Sequence, residues 1–544
     1  MRLCNFSARH RTRYRKIFIP WWNKTNPLPC MKSIPRRKFI KGTAMAGGAL
    51  LLLPELEGAM FLNANAGTNY FMQEFGIDEN LCQKLLAKAL SRGGDFADLY
   101  FEYSVSNYLG LEDGKVNQSY GNISLGVGIR TVKGDQIGYG FTQELTPESM
   151  LSAATTASTL CDMTATSVSS SFTRPKTGNY YPVSEDFNGI PVKSKLPVLQ
   201  TIHEKCFSLS PEIVKVNAGF SNVVKRIMVV TSDGVMAEDI IPSGFVYSSV
   251  VAERNGKREQ SSWNLGGRRD FSYYNEAVIN EVAARSVENA LKLFEAILPP
   301  AGEIPVVLGP GVTGILLHEA IGHGMEADFN RKNVSTYSTM LGKKVAEPFV
   351  NIVDDATNMN LAGSINVDDE GVPGKKTMLV ENGILTSYIH DKISAKHYGL
   401  EPTGNGRRQD FQNYPMPRMR NTYMTGGDAS PEDIIKQAGN GIYVENVSNG
   451  QVKIGEGDFA FYVSQGRLIE NGKLTAPIKD VNIMGNGPKM LANITMAAND
   501  LEMYHGGAGQ CGKNGQGVPV SFGLPTCLVK SLTVGGTLQK GGQS

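Results

Sequence analysis

The sequence predicts an α+β protein in which an α/β N-terminal domain is followed by a β-rich C-terminal domain. Up to about residue 298, stretches with the apolar period of an amphipathic helix alternate with strand-like stretches. Beyond that point, short apolar runs are separated by turns such as Asn382-Gly383 and Asn471-Gly472, which is typical of strands. The chain has 544 residues, 60 of them glycine without the period of collagen, so it is long enough for two or three domains rich in strands and loops.

The N-terminal domain is expected at residues 67–298. A helix over 78–92 begins at the capping residue Asp78 and ends at Gly93-Gly94, and the Ser/Thr-rich segment 165–179 is expected to be a surface loop. The other predicted elements are helices at 146–160, 196–208 and 275–298, and strands at 97–105, 108–112, 124–132, 137–142, 226–231, 235–241 and 245–253.

The C-terminal domain is expected at residues 299–544 and carries the candidate metal site. Its first predicted strand, 304–308, stops at a Gly-Pro-Gly sequence, after which an apolar run compatible with a helix begins. The strands predicted after this run are 349–354, 376–381, 441–447, 459–464 and 467–470.

Residues 1–66 are predicted to be a twin-arginine export signal preceded by an N-terminal extension. The core Arg36-Arg37-Lys38-Phe39 is followed by an apolar stretch that ends at Leu53, and Ala64-Asn65-Ala66 offers a small-residue cleavage site. The apolar stretch is too short for a stable membrane span. This pattern predicts export to the periplasm or another extracytoplasmic space; the alternative is a cytoplasmic protein with a chance Arg-Arg pair.

The charge of the chain after residue 66 argues against nucleic acid as a partner. The whole sequence has a formal net charge of +2, but residues 1–66 hold twelve Lys and Arg and only two acids. The remaining 42 basic and 50 acidic residues give a net charge of −8, which is unfavourable for binding a phosphate backbone. Five of the seven cysteines follow residue 66, widely spaced and without a CxxC pair, so no disulfide framework is predicted.

Two histidines near one glutamate, His318, Glu319 and His323, indicate a hydrolytic zinc site. In such sites imidazoles hold the ion, and the carboxylate takes a proton from a bound water. The histidines are five residues apart, about 140° around a regular helix, so one metal can bind both only if the helix is widened or ends between them. A π-bulge would widen it, and Gly322 makes that distortion easy. The alternative is a buried helix with two incidental histidines.

A catalytic zinc site also needs a third protein ligand and an open position for water. Glu326 and Asp328 follow His323 so closely that they can instead orient a ligand histidine by a hydrogen bond. Cys511 lies in a glycine-dense segment, 506–520, that is expected to form a loop able to approach a metal, although a lone cysteine is often a small buried apolar residue. The candidates for the third ligand are Glu326, Asp328, His390, His397, His505, Cys511 and Cys527.

Several further segments accompany the sequence His-Glu-Ala-Ile-Gly-His at 318–323, whose five-residue spacing is rare. They are Thr403-Gly404-Asn405-Gly406-Arg407-Arg408, Pro417-Arg418-Met419, Leu468-Ile469-Glu470-Asn471-Gly472-Lys473 and Cys511-Gly512-Lys513. Through these segments the chain, from about residue 78 to its end, resembles the TldD/PmbA (TldD/TldE) family of metalloproteases, in particular the metal-bearing TldD branch.

The resemblance implies a zinc ion held by His318, His323 and Cys511, with Glu319 as general base. It also implies a two-domain subunit that forms a homodimer, or a heterodimer with a metal-free TldE-like chain, with the site enclosed between the subunits. The implied substrates are unfolded or flexible peptides.

The predicted function is therefore a zinc-dependent peptidase, in which Glu319 accepts a proton from zinc-bound water as the water attacks a peptide carbonyl. Arg407, Arg408 and Arg418 can bind a peptide carboxylate as bidentate forks, or can be structural ion-pair partners. His505 can stabilise the oxyanion, or can have a structural or solvent-facing role.

Three other functions are weighed against this one. The first is a non-catalytic partner subunit of a TldD/TldE-type complex, which has no need to retain His318, Glu319, His323 and Cys511 together. The second is a regulatory, gyrase-modulator-like protein, which the acidic charge disfavours. The third is a thiol enzyme with Cys511 as nucleophile, which would not depend on zinc.

Overall fold

A computed structural model describes residues 70–182 and 187–536 of the chain. The predicted export signal and N-terminal extension, residues 1–66, lie outside the described residues. In the described ranges, no helix is both long enough and apolar enough to cross a membrane.

The N-terminal half is built on one antiparallel sheet of six strands, in the order β3-β2-β1-β4-β5-β6. One face of this sheet carries the helices, and apolar side chains of both fill two hydrophobic cores between them. The strands are β1 (Phe96–Glu112), β2 (Lys115–Lys133), β3 (Gln136–Thr142), β4 (Ile213–Thr231), β5 (Met236–Arg254) and β6 (Lys257–Gly267). The helices are α1 (Tyr70–Phe75), α2 (Glu79–Ala89), α3 (Pro147–Ser158), α4 (Val192–Leu209) and α5 (Glu276–Lys292).

Several predicted strands of this half are shorter than the observed ones. The stretches 97–105 and 108–112 form the single strand β1, and 235–241 and 245–253 form β5. Pro242 and Gly244 lie at the junction of the two predicted strands, but the observed strand is paired on both sides, with β4 and β6. Cross-strand pairing therefore overrides the local turn preference. The strand β6 and the helix α1 were not predicted.

The predicted helix 275–298 is too long. The α-helix ends at Lys292 and is followed by a 3₁₀ turn over Leu293–Glu295. Beyond this turn the backbone N–H of Ile297 donates to the carbonyl of Pro477 at 2.9 Å instead of to a carbonyl of the helix. This contact connects the two halves of the chain.

The C-terminal half contains two larger sheets that share one hydrophobic core. The first has the order β14-β7-β23-β17-β15-β16 with β18 beside β23, and the pairing of β14 with β15 closes five of its strands into a ring. The second has the order β10-β9-β8-β13-β22-β19. The strands β11 and β12, and the strands β20 and β21, form two further sheets of two strands each. The β-rich character predicted for this half is confirmed.

The strands of the C-terminal half are β7 (Gly302–Leu308), β8 (Ile352–Asp355), β9 (Lys376–Glu381), β10 (Ile384–Leu385), β11 (Gly406–Arg407), β12 (Met416–Pro417), β13 (Asn421–Met424), β14 (Gly441–Lys453), β15 (Asp458–Glu470), β16 (Lys473–Ile478), β17 (Val481–Asn486), β18 (Ile494–Ala497), β19 (Glu502–Met503), β20 (Gln510–Lys513), β21 (Gln516–Pro519), β22 (Ser521–Leu524) and β23 (Cys527–Gly536). The helices are α6 (Gly314–Leu317), α7 (Ala327–Asn330), α8 (Lys392–Tyr398), α9 (Pro431–Ala438) and α10 (Gly487–Ala492).

A buried ion-pair network joins the N-terminal sheet to the C-terminal half. Arg130 on β2 contacts Asp98 on β1, with Nε donating at 2.6 Å, and its Nη2 lies 2.7 Å from Glu370 Oε1. Arg408 reaches the same Asp98 at 3.2 Å. All four side chains are fully buried, so each charge depends on the others for compensation.

We expect Arg130→Met to lower the free energy of unfolding by about 3–5 kcal/mol, because it leaves two buried carboxylates without their shared partner. Urea unfolding followed by circular dichroism would measure the loss. The matched control is Arg92→Met, which removes an ion pair with the exposed Asp162 and should change the unfolding midpoint little. Equal midpoints for the two variants would contradict the role of Arg130.

Candidate metal centre

The segment with the two histidines leaves regular α-helical geometry where the spacing predicts it. Helix α6 continues into a π-helical turn over His318–Gly322, and a 3₁₀ turn follows over His323–Met325. The predicted local widening is confirmed. It brings the rings of His318 and His323 together, with their centroids 5.2 Å apart.

Close packing, in addition to backbone freedom, favours glycine at position 322. A Cβ atom at this position would lie 2.0 Å from Sδ of Met419, far inside van der Waals contact. The π turn can therefore press against the segment that carries Met419 only because residue 322 has no side chain.

Cys511 lies beside the histidines, although it is far from them in sequence. Its Sγ is 3.4 Å from Nε2 of His323, and the candidate ligand atoms of His318, His323 and Cys511 all lie within 4.8 Å of one another. Within the segment 506–520, predicted to be a glycine loop, residues 506–509 are irregular, but 510–519 form the β-hairpin β20-β21, so the loop expectation is wrong for the part that carries Cys511. Its turn is Asn514-Gly515, with φ of 51° and 77°, the left-handed pair that two-residue hairpins favour.

The side chains of this group fit a metal ion. All three are buried, and within the described part of the chain neither ring nitrogen of His318 has a hydrogen-bond partner. Buried polar atoms rarely lack a bonding partner, so the free nitrogens of His318 are consistent with a site that binds a metal ion. Burial raises the pKa of Cys511, but the two imidazoles outweigh it and hold the pKa well below its usual value. Two imidazoles and a thiolate form a donor set that suits zinc.

Glu326 orients His323. Its Oε2 lies 3.0 Å from Nδ1 of His323, so this nitrogen donates to the carboxylate and Nε2 is left facing Cys511. Lys513 Nζ lies 3.1 Å from the same carboxylate oxygen. Burial raises the pKa of Glu326, but Lys513 and His323 outweigh burial and lower it to about 2. These partners therefore favour the ionised form of Glu326.

Asp328 contacts Lys513, at 2.7 Å, rather than a histidine. Lys513 had no role in the sequence-based prediction, yet it connects both acids to the hairpin. A signal was available, because Lys513 is two residues after Cys511 and alternate residues of a strand share a face.

Glu319 is the accessible acid of the site. Its Oε2 is 3.7 Å from Nε2 of His323, and its side chain is 23% exposed, compared with 4% for His323. A carboxylate that is close to the ligand group and reachable by solvent can exchange protons with water or substrate.

The three arginines proposed for substrate binding lie in different surroundings. Arg418 donates to the backbone carbonyls of Cys511 and Gln516 and so holds the hairpin in place. Arg408 belongs to the buried ion-pair network. Arg407 donates only to carbonyls, those of Met419 at 2.6 Å and Pro519 at 2.8 Å.

The remaining candidate ligands are not part of the group with His318. His505 is exposed, and its backbone carbonyl accepts from Gly266 N at 2.8 Å. Its position near the end of β6 connects the loop before the hairpin to the N-terminal sheet. His390, His397 and Cys527 also lie outside the group.

Comparison with known proteins identifies the class as a metallopeptidase. Models of PmbA/TldA metallopeptidases match the chain in three parts, domain 1 at residues 97–161, the central domain at 185–294 and the C-terminal domain at 301–536. The chain belongs to the PmbA/TldD family.

Individual relatives agree with this assignment. The metalloprotease TldD homolog of Buchnera aphidicola is 36% identical over 491 residues, which cover 89% of this chain and 99% of the relative. The zinc metalloprotease TldD homolog of Saccharolobus solfataricus is 30% identical over 457 residues, 83% and 99% of the two chains. The crystal structure of TldE from Thermococcus kodakarensis shares the fold, with a TM-score of 0.65 at 18% identity over 84% of this chain and 99% of that one.

We expect Glu326→Gln to weaken metal binding by about 10- to 100-fold, because the neutral amide orients His323 less firmly. Competition with a chromophoric chelator would measure the affinity. Asp328→Asn is the matched control, since Asp328 contacts Lys513 but neither histidine, and it should have the smaller effect. Equal losses in both variants would show that Glu326 acts only through local charge.

Proposed function

We propose that this protein is a zinc-dependent peptidase that hydrolyses peptide bonds of unfolded or flexible peptides, with Glu319 as its general base. The observation that carries the proposal is the buried group of His318, His323 and Cys511 beside one accessible carboxylate. The name of the Saccharolobus relative, a zinc metalloprotease, supports zinc as the metal.

Each residue of the site has a separate task in the proposed mechanism. His318, His323 and Cys511 would hold the metal, and Glu326 keeps His323 in the tautomer whose Nε2 is free. When bound, zinc would supply a Lewis acid that polarises the peptide carbonyl and makes water more acidic. Glu319 accepts the proton of the attacking water and delivers it to the leaving amine.

A thiolate ligand reduces the net positive charge of the site relative to a third histidine. We therefore expect a modest Lewis acid and slow processing of peptides rather than rapid digestion. Flexible substrates are proposed because the ligand group is buried, so a substrate must reach it as an extended segment rather than as a folded surface.

We also propose that the protein acts as a homodimer or with a TldE-like chain, and that it is exported by the twin-arginine pathway. The family membership supports the first proposal. The second depends on Arg36-Arg37-Lys38-Phe39, which lies outside the described residues. The net charge of −8 after residue 66 disfavours a direct role on DNA.

We expect Glu319→Gln to lower kcat for peptide hydrolysis by about 10²- to 10⁴-fold, the usual contribution of a general base. Zinc content should be unchanged, because Glu319 is not among the three proposed ligands. Activity assays paired with elemental analysis would check both. If hydrolysis persists while zinc remains bound, Glu319 is not the base.

Cys511→Ser should lose both zinc and activity, whereas Cys527→Ser should keep both. Burial raises the pKa of Cys527 to about 12, so this thiol stays protonated and serves as a matched buried control. A chelator should abolish the activity of the unsubstituted protein, and added zinc should restore it. Activity that survives complete chelation would favour a thiol nucleophile instead.

A further inference from the structure

A cavity of about 220 Å³ lies between the N-terminal sheet and the C-terminal half, outside the proposed metal centre. The sheet contributes Phe245 of β5 from the face opposite the helices, and Arg268 follows the end of β6. The C-terminal half contributes Asp369, Arg407 and Pro519. The size suits the end of a peptide rather than a large cofactor.

Two buried arginines in this cavity have no carboxylate partner among the residues that the structure describes. Arg268 is 2% exposed; its Nη1 donates to the carbonyl of Pro242 at 3.3 Å, and its Nε has no partner. Arg407 is 4% exposed and donates only to the two backbone carbonyls described above. Within residues 70–182 and 187–536, neither guanidinium has an acid at ion-pair distance. Buried cations are normally paired, so a missing anion is the simplest explanation.

The electrostatic environment agrees with an excess of positive charge. Burial and the neighbouring Arg268 lower the pKa of Arg407 to about 10, and burial also lowers the pKa of Arg268. Tyr181, whose ring lies 5.1 Å from the Arg268 guanidinium, and Asp239 act in the opposite direction on Arg268, but Asp239 already accepts from Tyr181 and Asn366. Asp369 acts in the same direction on both arginines, but its Oδ2 already accepts from the backbone N–H of Arg408 at 2.7 Å.

The other charged side chains of the cavity already have an ion-pair partner or backbone donors. They are Arg408, which pairs with Asp98 at 3.2 Å, Lys225, which pairs with Glu102 at 3.2 Å, and Asp368, which accepts from the backbone N–H groups of Gly406, Glu370 and Val372, each at 2.9 Å. Arg268 and Arg407 are therefore the charges that a bound group would meet.

The cavity adjoins the proposed metal centre through Arg407. The carbonyl that accepts from its Nη1 belongs to Met419, whose side chain packs on Gly322 of the π turn. The carbonyl that accepts from its Nη2 belongs to Pro519, which pairs with Gln510, the neighbour of Cys511. A peptide end bound in the cavity would thus lie near the residues that carry out hydrolysis.

We propose that Arg268 and Arg407 form a subsite for the C-terminal carboxylate of the peptide substrate. The inference rests on the proposed peptidase function and names its substrate class, peptides with a free C-terminus near the cleaved bond. Guanidinium groups match carboxylates because their parallel N–H groups can bind both oxygens. An acidic side chain of a peptide has the same chemistry, so the experiment must separate the two sources.

The test measures binding rather than hydrolysis, on full-length Glu319→Gln loaded with zinc. Three peptides of one unstructured sequence are titrated by calorimetry: a free acid without acidic residues, its C-terminal amide, and the amide with one internal glutamate. We expect the free acid to bind about 10- to 100-fold more tightly than either amide. Equal binding of free acid and plain amide overturns the proposal, and tight binding of only the glutamate peptide overturns its C-terminal part.

Substitutions then assign the effect to the two arginines. Arg268→Gln and Arg407→Gln should each remove most of the preference for the free acid, and Arg407→Lys should restore part of it as a point charge. Arg269→Gln is the matched control, because Arg269 stacks on Tyr273 and does not line the cavity. Thermal melting checks that each arginine variant is folded. The comparison of the three peptides on Glu319→Gln needs no arginine substitution, so it tests the proposal even if an arginine variant does not fold.

Failure of this inference is distinguishable from failure of the proposed function. If the unsubstituted protein hydrolyses no peptide, but Glu319→Gln prefers the free acid and the two arginine substitutions remove that preference, the peptidase proposal fails and the carboxylate subsite stands. If peptides are hydrolysed but free acid and amide bind equally, the subsite fails and the peptidase proposal stands.

Discussion

The carboxylate of Glu326 connects the two segments that form the candidate metal centre. It accepts from His323 just after the π turn and pairs with Lys513 on the hairpin, at 3.0 and 3.1 Å. A fully buried carboxylate is strongly destabilising without such partners, so helix and hairpin must come together for the charge to be compensated. Because Lys513 and Cys511 share one face of β20, the same contact brings the thiol to the histidines.

Neighbouring arginines in this sequence have different structural roles. Arg418 donates hydrogen bonds to backbone carbonyls of the β20-β21 hairpin, whereas Arg420 pairs with the buried Asp354 at 2.8 Å. Arg408 pairs with Asp98 in the ion-pair network at the junction of the two halves. Arg407, the residue before it, faces the cavity and has no acidic partner among the described residues. Their side chains meet different partners, so arginines that are close in the sequence do not share one role.

The junction between the two halves serves stability and the site together. The helix-free face of the N-terminal sheet meets the C-terminal half through Arg130 and its acids, which compensate one another in a dry environment. Farther along the same face, Phe245 and Lys225 border the cavity instead. The sheet therefore acts both as a structural support and as one wall of a binding surface adjoining the proposed metal centre.

The sequence alone determined what depends on local spacing. If one metal binds both His318 and His323, their five-residue separation requires the helix to widen or to end between them. The periodicity of apolar residues predicted the α+β class. Residue spacing did not select Cys511 among seven candidate ligands; the family resemblance did, and the glycines of its segment suggested a loop where a hairpin forms. Only the tertiary structure decided the contact of Cys511 with His323, the role of Lys513 and the separate surroundings of Arg407, Arg408 and Arg418. These depend on packing between segments roughly a hundred or more residues apart, where neither helical nor strand periodicity carries information.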